Sequence, residues 1–303
     1  MEAVNKELAA LRERGTWDEK AVMEKGAAMK LHPEAHFARL FPLVGIKNSE
    51  CADVREHVYK GRIVLGGHDI KTASGDWAIF SDCGSTPSTM TAARASLAVA
   101  ALLGLEVVQS DCLRAYVQAK LEGALTSIGL PRAWWPKSWE SFKDPVCPLI
   151  YALYGHPTAG DCWGVHLSKI LRRYGLQTIE GWPGLYYKTL VIKGKPTVII
   201  VVTYVDDLIM IGCNQAPGLI EAIRKEIEME QPHALDKYLG AIHRCKKEGP
   251  VTTMQWDMSN YLTSACVSFE KETGIKLKPA TTPYASDLQK EALDKNLATP
   301  WEL

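Results

Sequence analysis

The chain lacks several features that would settle its class early. Its eight cysteines include no C-x-x-C pair. That argues against a disulfide framework and a zinc knuckle, and fits a reducing, intracellular compartment. Cys162 and His166 stand at helical i, i+4 spacing, but no second ligand pair accompanies them, so a metal there is the weaker reading. No apolar run is long enough to span a bilayer; the longest, around residues 198–202, is broken by Thr203, Asp206 and Asp207. The opening M-E-A-V-N-K-E-L has no apolar signal core, so neither secretion nor a membrane partner is expected. Excess charge is absent too: 35 Lys+Arg balance 35 Asp+Glu. Neutrality counts against a nucleic-acid binder, yet a groove can be basic while the whole is neutral. Lys47, Arg62, Lys169, Arg172 and Arg173 are therefore expected along one cleft, with acids on the outer faces. There is no internal repeat and no low-complexity tract.

What is present is an ordinary globular composition, 47% hydrophobic and 23% charged over 303 residues. Val4, Leu8 and Leu11 mark a first helix that stops at Gly15. Residues 43–46 and 62–65 read as strands, 85–104 as a capped Ala/Leu helix, and 106–110 as a strand. Residues 125–148, rich in Pro and Trp, read as an ordered loop. Trp163, Leu167, Ile170, Leu171 and Tyr174 mark another helix, and residues 185–187 a short strand. Leu219, Ile220, Ile223 and Ile227 mark a third helix; Tyr261, Leu262, Ala265 and Phe269 a fourth. Strands and helices alternate without a regular βαβ repeat, which predicts an α+β fold.

The informative anomaly is V-I-I-V-V-T-Y-V-D-D-L-I-M-I-G at 198–212. Two Val/Ile-rich runs flank adjacent aspartates, as in a hairpin with Asp206 and Asp207 at its tip. Asp favours turns in any case. Here, however, the carboxylates lie within an apolar run, where like charges repel the more strongly for being desolvated. A divalent cation resolves that conflict. Mg²⁺ prefers carboxylate oxygens and is commonly shared with phosphates, and two such ions clamp both oxygens of a phosphoryl transfer. A second carboxylate source is needed. Asp111, at the end of the strand L-E-V-V-Q-S, is the best candidate, although a strand-end Asp is more often a cap. Trp134, Trp135 and Trp139 are more often packing than base-stacking residues.

These residues carry a resemblance. Y-V-D-D at 204–207 looks like the reverse-transcriptase signature. Q-S-D-C-L-R-A-Y-V-Q-A at 109–119 resembles the first catalytic motif of copia-type polymerases, and A-L-Y-G-H-P-T-A-G-D-C-W at 152–163 that family's A-L-Y-G segment. K-G-R-I-V at 60–64, K-Y-L-G at 237–240, E-L-A-A-L-R-E-R-G-T-W at 7–17 and T-T-P at 281–283 follow the family's order along nearly the whole chain. The resemblance implies a right-hand polymerase fold with fingers, an antiparallel palm sheet backed by helices, and a partial thumb. Its parts would be an N-terminal helix and fingers at 1–104, the palm at 105–245 with fingers elements at 125–175, and the start of the thumb or connection at 246–303. It implies RNA-directed DNA polymerase activity, with primer, RNA or DNA template and dNTPs as partners. Asp111, Asp206, Asp207 and the Cys112 carbonyl would hold two Mg²⁺ ions, with Mn²⁺ as a substitute. Tyr116 would lie under the incoming sugar and exclude a 2′-hydroxyl. Lys47 and Arg62 would reach the triphosphate, and Gly155 would let the backbone approach nucleotide or template. Tyr238, Leu239 and Gly240 would hold the primer. No protease, integrase or RNase H fits within the chain, which reads as an excised or degenerate piece of a polyprotein starting at a fortuitous Met. Two alternatives stand beside it: an inactive nucleic-acid-binding relic on the same fold, and an unrelated Mg²⁺-dependent nucleotidyl transferase or cyclase, which leaves A-L-Y-G and K-Y-L-G unexplained.

Overall fold

A computed structural model of the chain describes residues 2–47, 55, 57–80, 87–249 and 251–279. Its helices are α1 (Glu2–Glu13), α2 (Lys25–Leu31), α3 (Met90–Leu103), α4 (Ala159–Arg173), α5 (Leu219–Arg224) and α6 (Ser259–Thr273). A first, mixed sheet runs in the order β1 (Met23–Glu24), β7 (Pro145–Pro148), β6 (Thr126–Gly129), β2 (His36–Lys47), β3 (Val58–Leu65), with β4 (Lys71–Thr72) also on β2. The second sheet runs β12 (His233–Ala234), β5 (Val107–Asp111), β11 (Asp207–Ile211), β10 (Lys195–Tyr204), β9 (Trp182–Ile192), β8 (Gln177–Ile179), every pair antiparallel. A third holds β13 (Lys237–Tyr238), β14 (Ala241–Glu248) and β15 (Val251–Asp257). The α+β expectation is met.

The second sheet explains its own sequence. Alternate residues of a strand face opposite sides. Ile199, Val201, Leu208 and Met210 face a core built with Trp163, Leu167, Ile170 and Leu171 of α4 and Leu219 and Ile223 of α5. Ile200, Val202, Ile209 and Ile211 face Ala93, Leu97 and Ala100 of α3 together with Tyr238. Both faces are dry, so the strands read as unbroken apolar runs rather than alternating ones. The first sheet is closed by α1, whose Val4, Leu8 and Leu11 are buried with Leu40, Ile63, Leu65 and Trp139.

The contacts divide the chain into two units, Met1–Trp256 and Asp257–Leu303. In the second, α6 has no buried residue, and Tyr261, Leu262 and Val267 are exposed. Among the described residues, no helix is long and apolar enough to cross a membrane.

Several sequence expectations need correction. Residues 125–148 contain β6 and β7 rather than loop alone, because the Pro residues stand at strand ends and in 3-10 turns. The tryptophans there pack as core: Trp139 and Trp134 are buried, and the Trp135 indole donates to the Leu130 carbonyl at 2.9 Å. The helix expected from 85 begins at Met90, where the Thr89 hydroxyl caps the Ala92 N–H; residues 85–86, like T-T-P at 281–283, lie outside the described residues.

Candidate active site

The hairpin of β10 and β11 closes through the Tyr204–Asp207 pair, leaving Val205 and Asp206 as the two turn residues. Val205 has φ +56°. A positive φ at the first central position normally calls for glycine, and a β-branched side chain there is strained. The strain is held in place from outside: the buried Trp163 indole of α4 donates to the Val205 carbonyl at 2.7 Å. Strain over-determined in this way makes the tip a candidate site.

β5 delivers Asp111 directly opposite Asp207 in the sheet register, and the Cys112 N–H donates to the Asp206 carbonyl at 2.7 Å. Asp207 is pushed up to about 7, first by burial and then by the neighbouring carboxylates of Asp111 and Asp206. The Cys112 thiol is raised well above its usual range by burial and by all three carboxylates. The three aspartates thus share one neighbourhood. Among the described residues, however, no group of three or more His, Cys, Asp and Glu side chains is gathered in metal-holding geometry. Asp111 and Asp207 face each other across the ladder, while Asp206 belongs to the turn. Cys162 and His166 likewise gather no further ligand.

Asp111, Cys112 and Asp206 open onto a cleft of about 660 Å³ that is also lined by residues of α1 and β3. Tyr116 and Tyr154 stack tilted, with ring centroids 4.8 Å apart, and the Arg62 guanidinium lies 5.4 Å from the Tyr154 ring centroid. Burial, then Asp206, raises Tyr116 and pushes Tyr154 up to about 12. Tyr116 is half-buried against Tyr154 and is not among the residues that line the cleft, where it was expected to point. Gly155 has φ +88°, and a Cβ there would overlap the Leu65 carbonyl; the close approach it permits is to β3, locked by the Leu65 N–H to the Tyr154 carbonyl at 2.7 Å.

Other expected residues are dispersed. Lys47 ends β2 opposite Val58, and its side chain lies outside the described residues. Tyr238 is 3% exposed in the core under α3; its hydroxyl faces that of Ser88, and neither closes a well-formed hydrogen bond. Leu239 and Gly240, at φ +46° and +82°, form the turn beyond it. Among the described residues, the expected basic cleft is not found. Lys6, Lys60, Arg62 and Arg114 line it, but so do Glu2, Glu7, Asp111, Asp206 and Glu230. Lys169 and Arg173 lie on the outer side of α4, paired with Glu122 and Glu226, because its apolar stripe claims the inner face. Tyr154, Lys60, Arg114 and Glu7 were missed. All four sit inside segments already quoted for the resemblance; what the sequence does not show is the pairing of Glu7 with Arg114, which joins segments 107 residues apart.

A family model described as reverse transcriptase (RNA-dependent DNA polymerase) matches residues 42–278. The retrovirus-related Pol polyprotein from transposon TNT 1-94 of Nicotiana tabacum is 26% identical over 249 residues, 80% of this chain and 17% of the polyprotein. The putative transposon Ty5-1 protein of Saccharomyces cerevisiae is 26% identical over 138 residues, 44% of this chain and 42% of that protein. The chain thus spans less than half the length of either relative.

Proposed function

The chain belongs to the reverse transcriptase (RNA-dependent DNA polymerase) family, as a retrotransposon reverse transcriptase region, and from that premise we propose that it is the polymerase core of a copia-type element. It transfers a deoxynucleotide from its triphosphate to a primer 3′-hydroxyl along an RNA or DNA template. The observation that carries this reading is the register pairing of Asp111 with Asp207 beneath a turn that holds Asp206. We read the second sheet as palm, the first sheet and α1 as fingers (1–104, with 125–175 contributing), and residues from 246 as the start of thumb or connection. RNase H and integrase portions of a Pol polyprotein are its expected companions.

The residues present fit Mg²⁺. The donors are hard carboxylates, and an aspartate raised to about 7 by burial and like-charged neighbours marks a deficit of positive charge. Asp111, Asp206, Asp207 and the Cys112 carbonyl would hold two ions, or Mn²⁺ in their place. In a paired strand, one residue's N–H and C=O point to the same side, so the Cys112 N–H bonded to Asp206 supports a carbonyl facing the tip. Bound ions supply charge neutralisation at the phosphates and the attacking oxygen.

The rest is alignment and exclusion by the chain itself. Arg62, braced against Tyr154, meets the triphosphate, with Lys47 as a second contact. Tyr116 closes the sugar side. Gly155 keeps Tyr154 seated, and acts on the nucleotide through that seat. The Leu239–Gly240 turn supports the primer end, with buried Tyr238 as its anchor.

Primer extension on an RNA template with Mg²⁺ tests the reading. Asp111→Asn and Asp206→Asn should each lower extension by at least about 100-fold without lowering the melting temperature. Tyr116→Val should raise ribonucleotide incorporation. Activity that survives Asp111→Asn would remove the metal assignment. A catalytically inactive nucleic-acid-binding relic is the second reading, favoured by the acid-rich cleft. Retained primer–template binding with no extension would establish it.

A further inference from the structure

Arg114 is the one cation of the cleft that comes from the same strand exit as Asp111. It lies three residues on, at φ +49°, a region arginine seldom adopts. The turn that imposes this is held by the buried Gln118. Its amide donates to the Leu113 carbonyl at 2.7 Å and the Glu228 carbonyl at 2.8 Å, and accepts from the Glu228 N–H at 2.8 Å. Three bonds to backbone fix the conformation that brings Arg114 to the cleft wall.

Its partner comes from the opposite wall. The Arg114 Nε donates to Glu7 Oε2 at 3.1 Å, and the Glu7 side chain is only 13% exposed. The pair is joined through Nε alone rather than by the two parallel bonds of an arginine–carboxylate fork, which are the stronger arrangement. Nor can α1 readily move away: a Cβ on Gly61 of β3 would lie 2.5 Å from the Ala3 backbone, and Val4, Leu8 and Leu11 are buried. Glu7 is thus a rigidly aimed, largely desolvated carboxylate inside a cleft that must admit an anion. Enclosing a carboxylate is costly unless a cation answers it.

We infer that Arg114 is a phosphate-binding residue of the nucleotide site and that Glu7, held on its Nε, is the counter-ion that aims it. The inference rests on the polymerase reading above. Glu7 keeps the Nε, and the incoming phosphate takes the terminal Nη groups of the guanidinium. α1 thereby becomes part of the nucleotide site and sets its affinity for the triphosphate tail.

The test is anisotropy of a fluorescent deoxynucleoside triphosphate and of its monophosphate on the full chain, with Mg²⁺ and no primer. Arg114→Gln should weaken the triphosphate by about tenfold or more and the monophosphate by no more than about twofold. Glu7→Gln should tighten the triphosphate by roughly three- to tenfold. Since removing one partner could unseat α1, the reversed pair Glu7→Arg/Arg114→Glu is measured too. It should melt near the unaltered chain yet lose its preference for triphosphate. An Arg114→Gln chain of normal melting temperature that binds both nucleotides normally overturns the inference, as does weaker triphosphate binding by Glu7→Gln or an unchanged preference in the reversed pair. In those cases intact primer extension by the unaltered chain leaves the polymerase reading standing. An unaltered chain that binds no triphosphate and extends no primer removes both.

Discussion

Val205 and His156 show what single positions contribute without any charge of their own. Val205 keeps a strained φ only because Trp163 holds its carbonyl. His156 is buried, its Nδ1 accepting from the Thr158 N–H and its Nε2 3.3 Å from the Thr126 hydroxyl. Burial, and then His36, pulls its pKa down to about 4. The unfolded chain takes up this proton below about 6.5, the folded chain only below about 4. Neutral His156 therefore contributes stability that is complete above pH 6.5 and is lost as pH falls toward 4. At pH 5 the loss should be on the order of 1–2 kcal/mol relative to pH 7.5. Urea unfolding at both pH values, for the unaltered chain and His156→Gln, measures it; an equal pH slope in the two would refute the assignment. Asp206 and Asp207 stood out in the sequence because D-D within an apolar run is chemically costly without a purpose, and Asp111 because it ends a strand. The contacts of Tyr154 with Tyr116 and Arg62, and of Glu7 with Arg114, did not, because only folding brings those partners near.

At the scale of elements, α1 was legible from the spacing of Val4, Leu8 and Leu11, and the central hairpin from its apolar runs. β6 and β7 were hidden by prolines at their margins, and β14 by its many exposed positions, which leave little alternation to read. The α1–β3 contact rests on buried side chains that a truncation would expose. Leu11→Ala, at a position 1% exposed, should cost about 2–5 kcal/mol in urea unfolding. A cost under about 1 kcal/mol would mean that α1 is dispensable to the core of the first sheet.

For the molecule as a whole, neutrality turns out to be local as well as global. The cleft sets four cations against five acids among its described lining, and Lys169 and Arg173 are answered by their own carboxylates. Primer–template binding should therefore depend shallowly on salt, with a log–log slope no steeper than about −4. At constant ionic strength, Mg²⁺ should tighten it. Filter binding that gives a slope beyond about −6, or no response to Mg²⁺, would contradict this charge arrangement. The pairing of β5 with β11 has a kinetic consequence as well. The β10–β11 hairpin closes over two residues, whereas bringing Asp111 to Asp207 closes a loop of roughly a hundred residues. Local contacts form first, so the tip is expected to be protected from amide exchange early in refolding and β5 late. Two of the three carboxylates would thus be in position well before the third arrives, and an unfinished chain can display an intact Y-V-D-D hairpin while having no site.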